Sequence, residues 1–201
     1  MEQNLDIKII PVGPLGTNCY LLCDSGECVL VDPGDNAAQL LQLVAESGCT
    51  LRALLLTHGH FDHYTAVSHI LGTYPDLPVY IHEGDISAEE EQLRFRRLSD
   101  RNQHFYAEGD EIAVGSLTLR VLETPGHSRG SVVLQAGNVL FTGDTLFAGS
   151  CGRTDFPGSD PRAMRDSLRR LAALPGDYYV LPGHGDISTL ENERRSNPYL
   201  R

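Results

Sequence analysis

Lysine is nearly missing from this sequence. Lys8 is the only one among 16 cationic residues, which face 27 acidic ones and leave a formal net charge of −11. A chain so acidic is a poor sequence-independent binder of nucleic acid, because phosphate contacts need clustered Lys and Arg. Long apolar runs are absent too. No stretch approaches the ~18 consecutive apolar residues of a membrane helix, so no membrane partner is expected. The opening MEQNLDIKII has no basic start followed by an apolar stretch, so no signal peptide is expected either. Cysteine is odd in number, and Cys19, Cys23, Cys28, Cys49 and Cys151 contain no C-x-x-C pair. That fits reduced thiols in a cytoplasm better than a disulfide framework.

What is present is ordinary globular composition, 41% hydrophobic and 21% charged over 201 residues, which implies one domain spanning 1–201. Ile7, Ile9 and Ile10 begin a strand. Residues 19–23 and 28–32 flank Asp24-Ser25-Gly26-Glu27 and read as a hairpin. Ala37, Leu40, Leu41 and Val44 recur at helical spacing until Gly48. Ala53–Leu56 is wholly apolar, as in a strand buried on both faces, and a helix is expected from about His63 to Leu71. Val79–Ile81 is a short strand. The second half repeats the order, with strands at Glu111–Val114, Leu117–Leu122, Ser131–Leu134 and Val139–Thr142. A helix opens on Asp160-Pro161, with a stripe of Met164, Leu168, Leu171 and Ala172, and a strand at Tyr178–Leu181 precedes a short helix near Leu190. Two mixed sheets packed face to face with helices outside, an α+β architecture, satisfy this pattern. Glu83–Arg101 carries an acidic run, Glu89 to Glu91, then Arg94, Arg96, Arg97 and Arg101. It reads as a solvated helix with i,i+4 charge pairs, the other reading being an arm over the site with arginines facing an anionic substrate.

Directly after the buried strand stands Thr57-His58-Gly59-His60-Phe61-Asp62-His63, the pattern H-x-H-x-D-H. At this composition chance produces it about once in a thousand such chains. Three imidazoles and a carboxylate at a strand end each need a partner, which core packing does not supply. Downstream, His127 lies in Pro125-Gly126-His127-Ser128 before a strand, Asp144 in Thr142-Gly143-Asp144 after one, and His184 in Pro182-Gly183-His184 after another. Each candidate sits on a loop at a strand end beside glycine, where backbones can approach closely. One metal could take His58, His60, His127 and Asp144. A second could take Asp62, His63 and His184, with Asp144 bridging. An all-N/O donor set suits zinc, iron or manganese. Two divalent ions sharing a water lower its pKa toward neutrality and make a hydroxide nucleophile. Asp32, which ends a strand in Val31-Asp32-Pro33-Gly34, reads as a turn former or as a carboxylate that orients the histidine loop. His69, His82 and His104 belong to no such pattern.

The ordered set His58-x-His60-x-Asp62-His63, His127, Asp144, His184, with Asp32 ahead of it, resembles the metallo-β-lactamase superfamily over nearly the whole chain. That resemblance implies an αββα sandwich with a dinuclear site, most often zinc, at one edge of the sheets. The stretch from Phe141 to Gly158 is similar to the glyoxalase-II-like branch, especially its short bacterial members, as is the ending Glu191-Asn192-Glu193-Arg194 … Asn197-Pro198-Tyr199-Leu200. The branch implies hydrolysis of a hydroxyacylglutathione-like thioester, a small-molecule substrate. The longer members add a helical domain that helps hold glutathione. They carry Lys and Tyr where this chain has Arg153 and Asp155, and Glu-Tyr where it has Gly185-Asp186.

The expected reaction is attack of the metal-bridging hydroxide on the thioester carbonyl, with Asp62 and Asp144 as the catalytic carboxylates. Arg153, Asp155 and Asn18 are the candidate substrate contacts, Arg153 through its planar fork, its other reading being a structural arginine paired with Asp155, and Asn18 because it follows Gly16-Thr17, its other reading being a turn role. The stretch Cys151-Gly152-Arg153-Thr154-Asp155-Phe156 also resembles persulfide dioxygenases. Those use one iron held by two His and one Asp, here His58, His127 and Asp144, which makes an oxidoreductase the alternative.

Overall fold

Strand pairing follows the alternation of the sequence closely. The structure, a computed structural model, describes residues 5–86 and 95–201. Strands β1 (Asp6–Val12), β2 (Thr17–Asp24), β3 (Glu27–Val31), β4 (Thr50–Leu55), β5 (Val79–Ile81) and β6 (Gln103–Phe105) form one sheet in sequential order. β1 to β3 are antiparallel, and β3 to β6 run parallel. The second sheet is built from β7 (Glu111–Val114), β8 (Leu117–Glu123), β9 (Val132–Ala136) and β10 (Val139–Gly143). A separate hairpin of β11 (Leu146–Phe147) and β12 (Ser150–Cys151) follows, before β13 (Tyr179–Pro182) and β14 (Ser188–Thr189) complete the sheet in the order β14-β13-β10-β9-β8-β7. The parallel pairs β3–β4 and β10–β13 need crossovers. These are supplied by α1 (Ala37–Ser47) and α3 (Pro161–Ala172), while α2 (Val67–Thr73) and α4 (Leu190–Ser196) complete the outer layers.

Period-two alternation sorts the apolar residues into three cores. Along β2, Cys19, Leu21 and Cys23 face α1 and α2 with Leu40, Val44, Val67 and Ile70. Tyr20 and Leu22 point the other way, into the inter-sheet core with Val29, Val31, Leu119, Val121 and Phe141. Val133, Leu140 and Val180 meet Met164, Leu168 and Leu171 of α3 and Leu190 of α4. The result is two mixed sheets between helical layers, as the sequence pattern implied. The Asp160 side chain caps α3 by accepting from the amides of Arg162 and Ala163, ahead of Pro161 at the first helical position. The α1 helix ends at Gly48, whose φ of 68° suits a residue without Cβ.

Several local expectations differ. Residues 61–63 form a 3-10 turn, so α2 starts only at Val67. β6, β14 and the β11–β12 hairpin are two or three residues long, too short for hydrophobic alternation to announce them. The charged stretch is not a solvated helix where it is described. Glu83–Asp85 is a single 3-10 turn and residues 95–99 have no regular structure. Phe95 is buried, its amide donating to Gly59 O at 2.8 Å and its ring edge-on to Tyr64 at 5.0 Å. The core claimed the one aromatic residue in that stretch. Glu89, Glu90, Glu91 and Arg94 lie outside the described residues. Among the described residues no helix is long and apolar enough to cross a membrane.

The inter-sheet core is the packing on which the site's geometry depends. Phe141 is fully buried there, edge-on to Tyr20 at 5.3 Å. Phe141→Ala is expected to cost about 3–5 kcal/mol of unfolding free energy. Chemical denaturation checks this, and a loss below about 1 kcal/mol would contradict a close-packed contact between the sheets.

Candidate metal centre

Five loops meet at one edge of the sandwich, and each leaves the end of a strand. The loop after β4 carries His58, His60, Asp62 and His63. His127 lies between β8 and β9, Asp144 follows β10, and His184 follows β13. The loop after β3 contributes Asp32. Among the described residues, three groups of side chains offer ligand atoms within 4.8 Å of one another: His58, His60 and His127; His58, His63 and Asp144; Asp62, His63 and His184. All seven candidate ligands proposed from the sequence are therefore brought together.

The ring nitrogens are aimed by hydrogen bonds behind them. Asp32, buried, accepts from the Thr57 amide at 2.8 Å, the Thr57 hydroxyl at 2.7 Å and His63 Nδ1 at 2.9 Å. The Thr57 hydroxyl, having donated to Asp32, accepts from His58 Nδ1 at 3.1 Å. His127 Nδ1 donates to Arg153 O at 2.8 Å. In each of these three rings Nδ1 carries a proton, so Nε2 is the nitrogen turned to the centre. Among the described residues, His58 Nε2, His63 Nε2 and Asp144 Oδ1 are buried without a hydrogen-bond partner. Orphaned lone pairs are costly unless something electropositive completes them. Asp144 lies between the two sides of the cluster, Oδ1 at 3.5 Å from His63 Nε2 and Oδ2 at 3.5 Å from His127 Nε2. Asp62 Oδ2 takes the Thr17 hydroxyl at 2.9 Å and lies 3.2 Å from His184 Nε2. These N and O donors, with no thiolate among them, fit a divalent metal ion.

The electrostatics agree. Burial, then the neighbouring imidazoles, pushes His58 well below the ordinary histidine range and His60 down to about 4, so both stay neutral. Burial opposes charge on His63, but Asp32 and Asp144 outweigh it and hold its pKa up at about 9. The hydrogen bond with Asp62 raises His184. Burial works against ionised Asp62, yet His184, His63 and Thr17 keep it well below the carboxylate range. One side of the cluster thus offers neutral lone pairs, and the other holds protons between carboxylates where a cation can replace them.

Glycines make the convergence possible. A Cβ on Gly183 would lie 2.3 Å from Asp144 Oδ1, and one on Gly143, whose φ is 47°, would lie 2.3 Å from Thr57 Oγ1. Asp32 itself adopts a φ of 51°, a left-handed conformation that aspartate tolerates better than most residues.

The three candidate substrate contacts fare differently. Asn18 is buried and donates its amide to Pro182 O and Gly185 O, both at 3.0 Å. Its N–H groups brace the His184 loop and are not available to a substrate, which corrects the sequence expectation. Tyr20 OH adds a second bond to Pro182 O at 2.6 Å. Arg153 and Asp155 are exposed and locked in a bidentate pair at 2.9 and 2.8 Å. The guanidinium stacks 4.3 Å from the centroid of Phe156, and that ring meets His60 and His127 edge-on. His82 lies outside the cluster, 3.1 Å from Glu123, and His104 stacks on Tyr80.

Two buried acids were missed from sequence. Glu193 accepts from the Gly149 amide and from Asn197 Nδ2, both at 2.8 Å, and from the Ser188 hydroxyl. Asn197 also donates to Phe147 O and Ser150 O, so the pair ties α4 to the hairpin that follows Asp144. Asp85 is buried behind the histidine loops. Its signal was the one that marked Asp144, a carboxylate beside glycine at a strand end, hidden in a stretch read as solvated.

Metal removal follows from the orphaned atoms. Chelator-treated protein is expected to unfold at a lower temperature than protein with zinc, iron(II) or manganese(II) restored, by several degrees at saturating metal. The His58→Ala variant should lose most of that metal-dependent rise. A midpoint insensitive to every divalent metal would contradict a metal centre.

Residues 12–184 match the Metallo-beta-lactamase superfamily. The chain is 36% identical to the probable metallo-hydrolase YqgX of Bacillus subtilis, with 95% of each chain covered. It is 34% identical to the hydroxyacylglutathione hydrolase GloC of Haemophilus influenzae, with 98% of each covered. A crystal structure of TTHA1623 in a di-iron-bound form superposes with a TM-score of 0.83 at 40% identity, covering 96% of this chain and 100% of that one. With the two-sheet architecture and the clustered ligands, these likenesses place the chain in the metallo-beta-lactamase superfamily.

Proposed function

We propose that this chain hydrolyses acyl thioesters with two divalent metal ions. The observation that carries the reading is the cluster itself. Seven N/O donors converge with buried lone pairs unsatisfied, while Asp62, Asp144 and His184 remain partly exposed to an incoming substrate. The full-length likeness to a hydroxyacylglutathione hydrolase supports a thioester as the bond cleaved. His58, His60 and His127 would hold one ion, and Asp62, His63 and His184 the other, with Asp144 facing both. Zinc is the favoured metal, and the di-iron-bound relative keeps iron a candidate. A divalent ion supplies a lowered water pKa and a polarised carbonyl when bound.

The chain's own residues supply position. Asp32 and Thr57 set the direction of the His58 and His63 lone pairs, and Arg153 O sets that of His127. Thr17 and His184 keep Asp62 ionised at the exposed side. Water gives its oxygen to the acyl carbon and releases its protons to solvent, the carbon–sulfur bond breaks, and the sulfur leaves as thiolate beside a carboxylate product. A thiol pKa near 8.5 makes that departure easy without a general acid.

The rim adds a substrate contact. Leu15, Phe61, Phe156 and Ile187 are large apolar side chains exposed by 37–56% on the loops that carry or flank the cluster. They suit an apolar body on the substrate. Asp155 holds the Arg153 fork through Nε and Nη2, and the remaining guanidinium N–H groups would meet a substrate carboxylate. Arg153→Ala is then expected to raise KM about tenfold while kcat changes less than about twofold, the loss of one charge-assisted hydrogen bond.

The test joins metal analysis of protein purified without added metal to two assays on one sample. About two metals per chain, S-lactoylglutathione cleavage and no oxygen uptake with glutathione persulfide are expected. One iron per chain with persulfide-dependent oxygen uptake and negligible thioester cleavage would overturn the reading in favour of a persulfide dioxygenase.

A further inference from the structure

Asp85 lies on the 3-10 turn after β5, within the charged stretch Glu83–Arg101, yet it is only 1% exposed. Among the described residues, each hydrogen-bond partner of its carboxylate is a donor on one of two loops. Oδ2 accepts from the Gly59 amide at 2.8 Å and the Ser128 hydroxyl at 2.6 Å, and Oδ1 accepts from the Gly130 amide at 2.8 Å. Gly59 separates His58 from His60. Ser128 follows His127, and its amide and hydroxyl both meet Ser131 Oγ. The carboxylate therefore clamps the two loops that carry the three-histidine group and touches neither Asp62, His63 nor His184. Packing around it is tight on both sides. A Cβ on Gly59 would lie 2.6 Å from Asp85 O, and one on Gly130 would lie 2.9 Å from Asp85 N.

We infer that Asp85 is the positioning residue of the His58–His60–His127 subsite, the counterpart of Asp32, which orients His63. The inference rests on the cluster holding metal. Its physical basis is spacing. His60 Nδ1 and His127 Nε2 stand 2.8 Å apart on different loops, and a shared ion needs both lone pairs turned to one point. Among the described residues the two loops share the Asp85 carboxylate, which fixes their separation by accepting from both backbones at once. Charge on the carboxylate also favours the cation a short distance beyond the loop. An asparagine of the same size has one acceptor for three donors, and its NH2 would face a backbone N–H, so one loop must move away.

The experiment is calorimetric titration of metal-free protein with zinc, which does not depend on turnover. Wild type is expected to show two tight sites. Asp85→Asn should weaken one about 10- to 100-fold and leave the other within about twofold. Double variants locate the damage. Asp85→Asn should add little to His60→Ala, but combined with His184→Ala it should leave no tight site. Equal weakening of both sites, full affinity at both, or additivity with His60→Ala would overturn the inference while the metal reading stands. Absence of tight sites in wild type would overturn that reading and the inference with it. Should Asp85→Asn not fold, Ser128→Ala removes one of the three donors and is expected to weaken the same site a few-fold, and unchanged affinity there would overturn the inference.

Discussion

The Asp32 carboxylate accepts from the Thr57 amide, the Thr57 hydroxyl and His63 Nδ1, all within 2.9 Å and all buried. These bonds join the end of β3 to the end of β4 and to the first ligand loop. The Thr57 hydroxyl passes the constraint to His58, whose free nitrogen turns inward as a result. Thr57 O then accepts the Val132 amide, which links the first sheet to β9 of the second. A single buried anion, in a left-handed conformation, thus sets the imidazoles, the strand ends and part of the sheet-to-sheet register. A buried carboxylate is tolerable only because both oxygens are hydrogen-bonded and positive charge lies close by.

The same device recurs around the edge. Asp85 serves the loops of His58, His60 and His127, and Glu193 with Asn197 secures the hairpin after Asp144. Asn18 and Tyr20 hold the backbone before His184. Ligands on separate loops would drift if each loop were free. Here buried polar groups, satisfied on all sides, convert loop ends into fixed points. Of the four buried side-chain atoms without a hydrogen-bond partner among the described residues, three belong to His58, His63 and Asp144 and face this edge, and the fourth is Gln103 Nε2.

Much of this was legible in the residues. The H-x-H-x-D-H run and the glycine-flanked His127, Asp144 and His184 stand at strand ends because only loops there can present polar groups to one point. Alternating and continuous apolar runs announced most strands, and Asp160-Pro161 announced α3. Strands of two or three residues carry no periodicity, so β6, β14 and the β11–β12 hairpin did not show. Glu83–Arg101 misled because charge density is read as solvent exposure. Asp85 and Phe95 are buried through partners distant in sequence, Gly59, Ser128 and Gly130.

The sequence by itself determined the donor chemistry and the alternation that makes two sheets between helices, because ligand type and side-chain period are local properties. Only the tertiary structure decided which nitrogen of each histidine is free. It also decided that Asn18 braces a loop and that Asp85 clamps two loops. Each of those outcomes depends on which backbone group arrives at hydrogen-bonding distance, and that is fixed by packing between elements far apart in the chain.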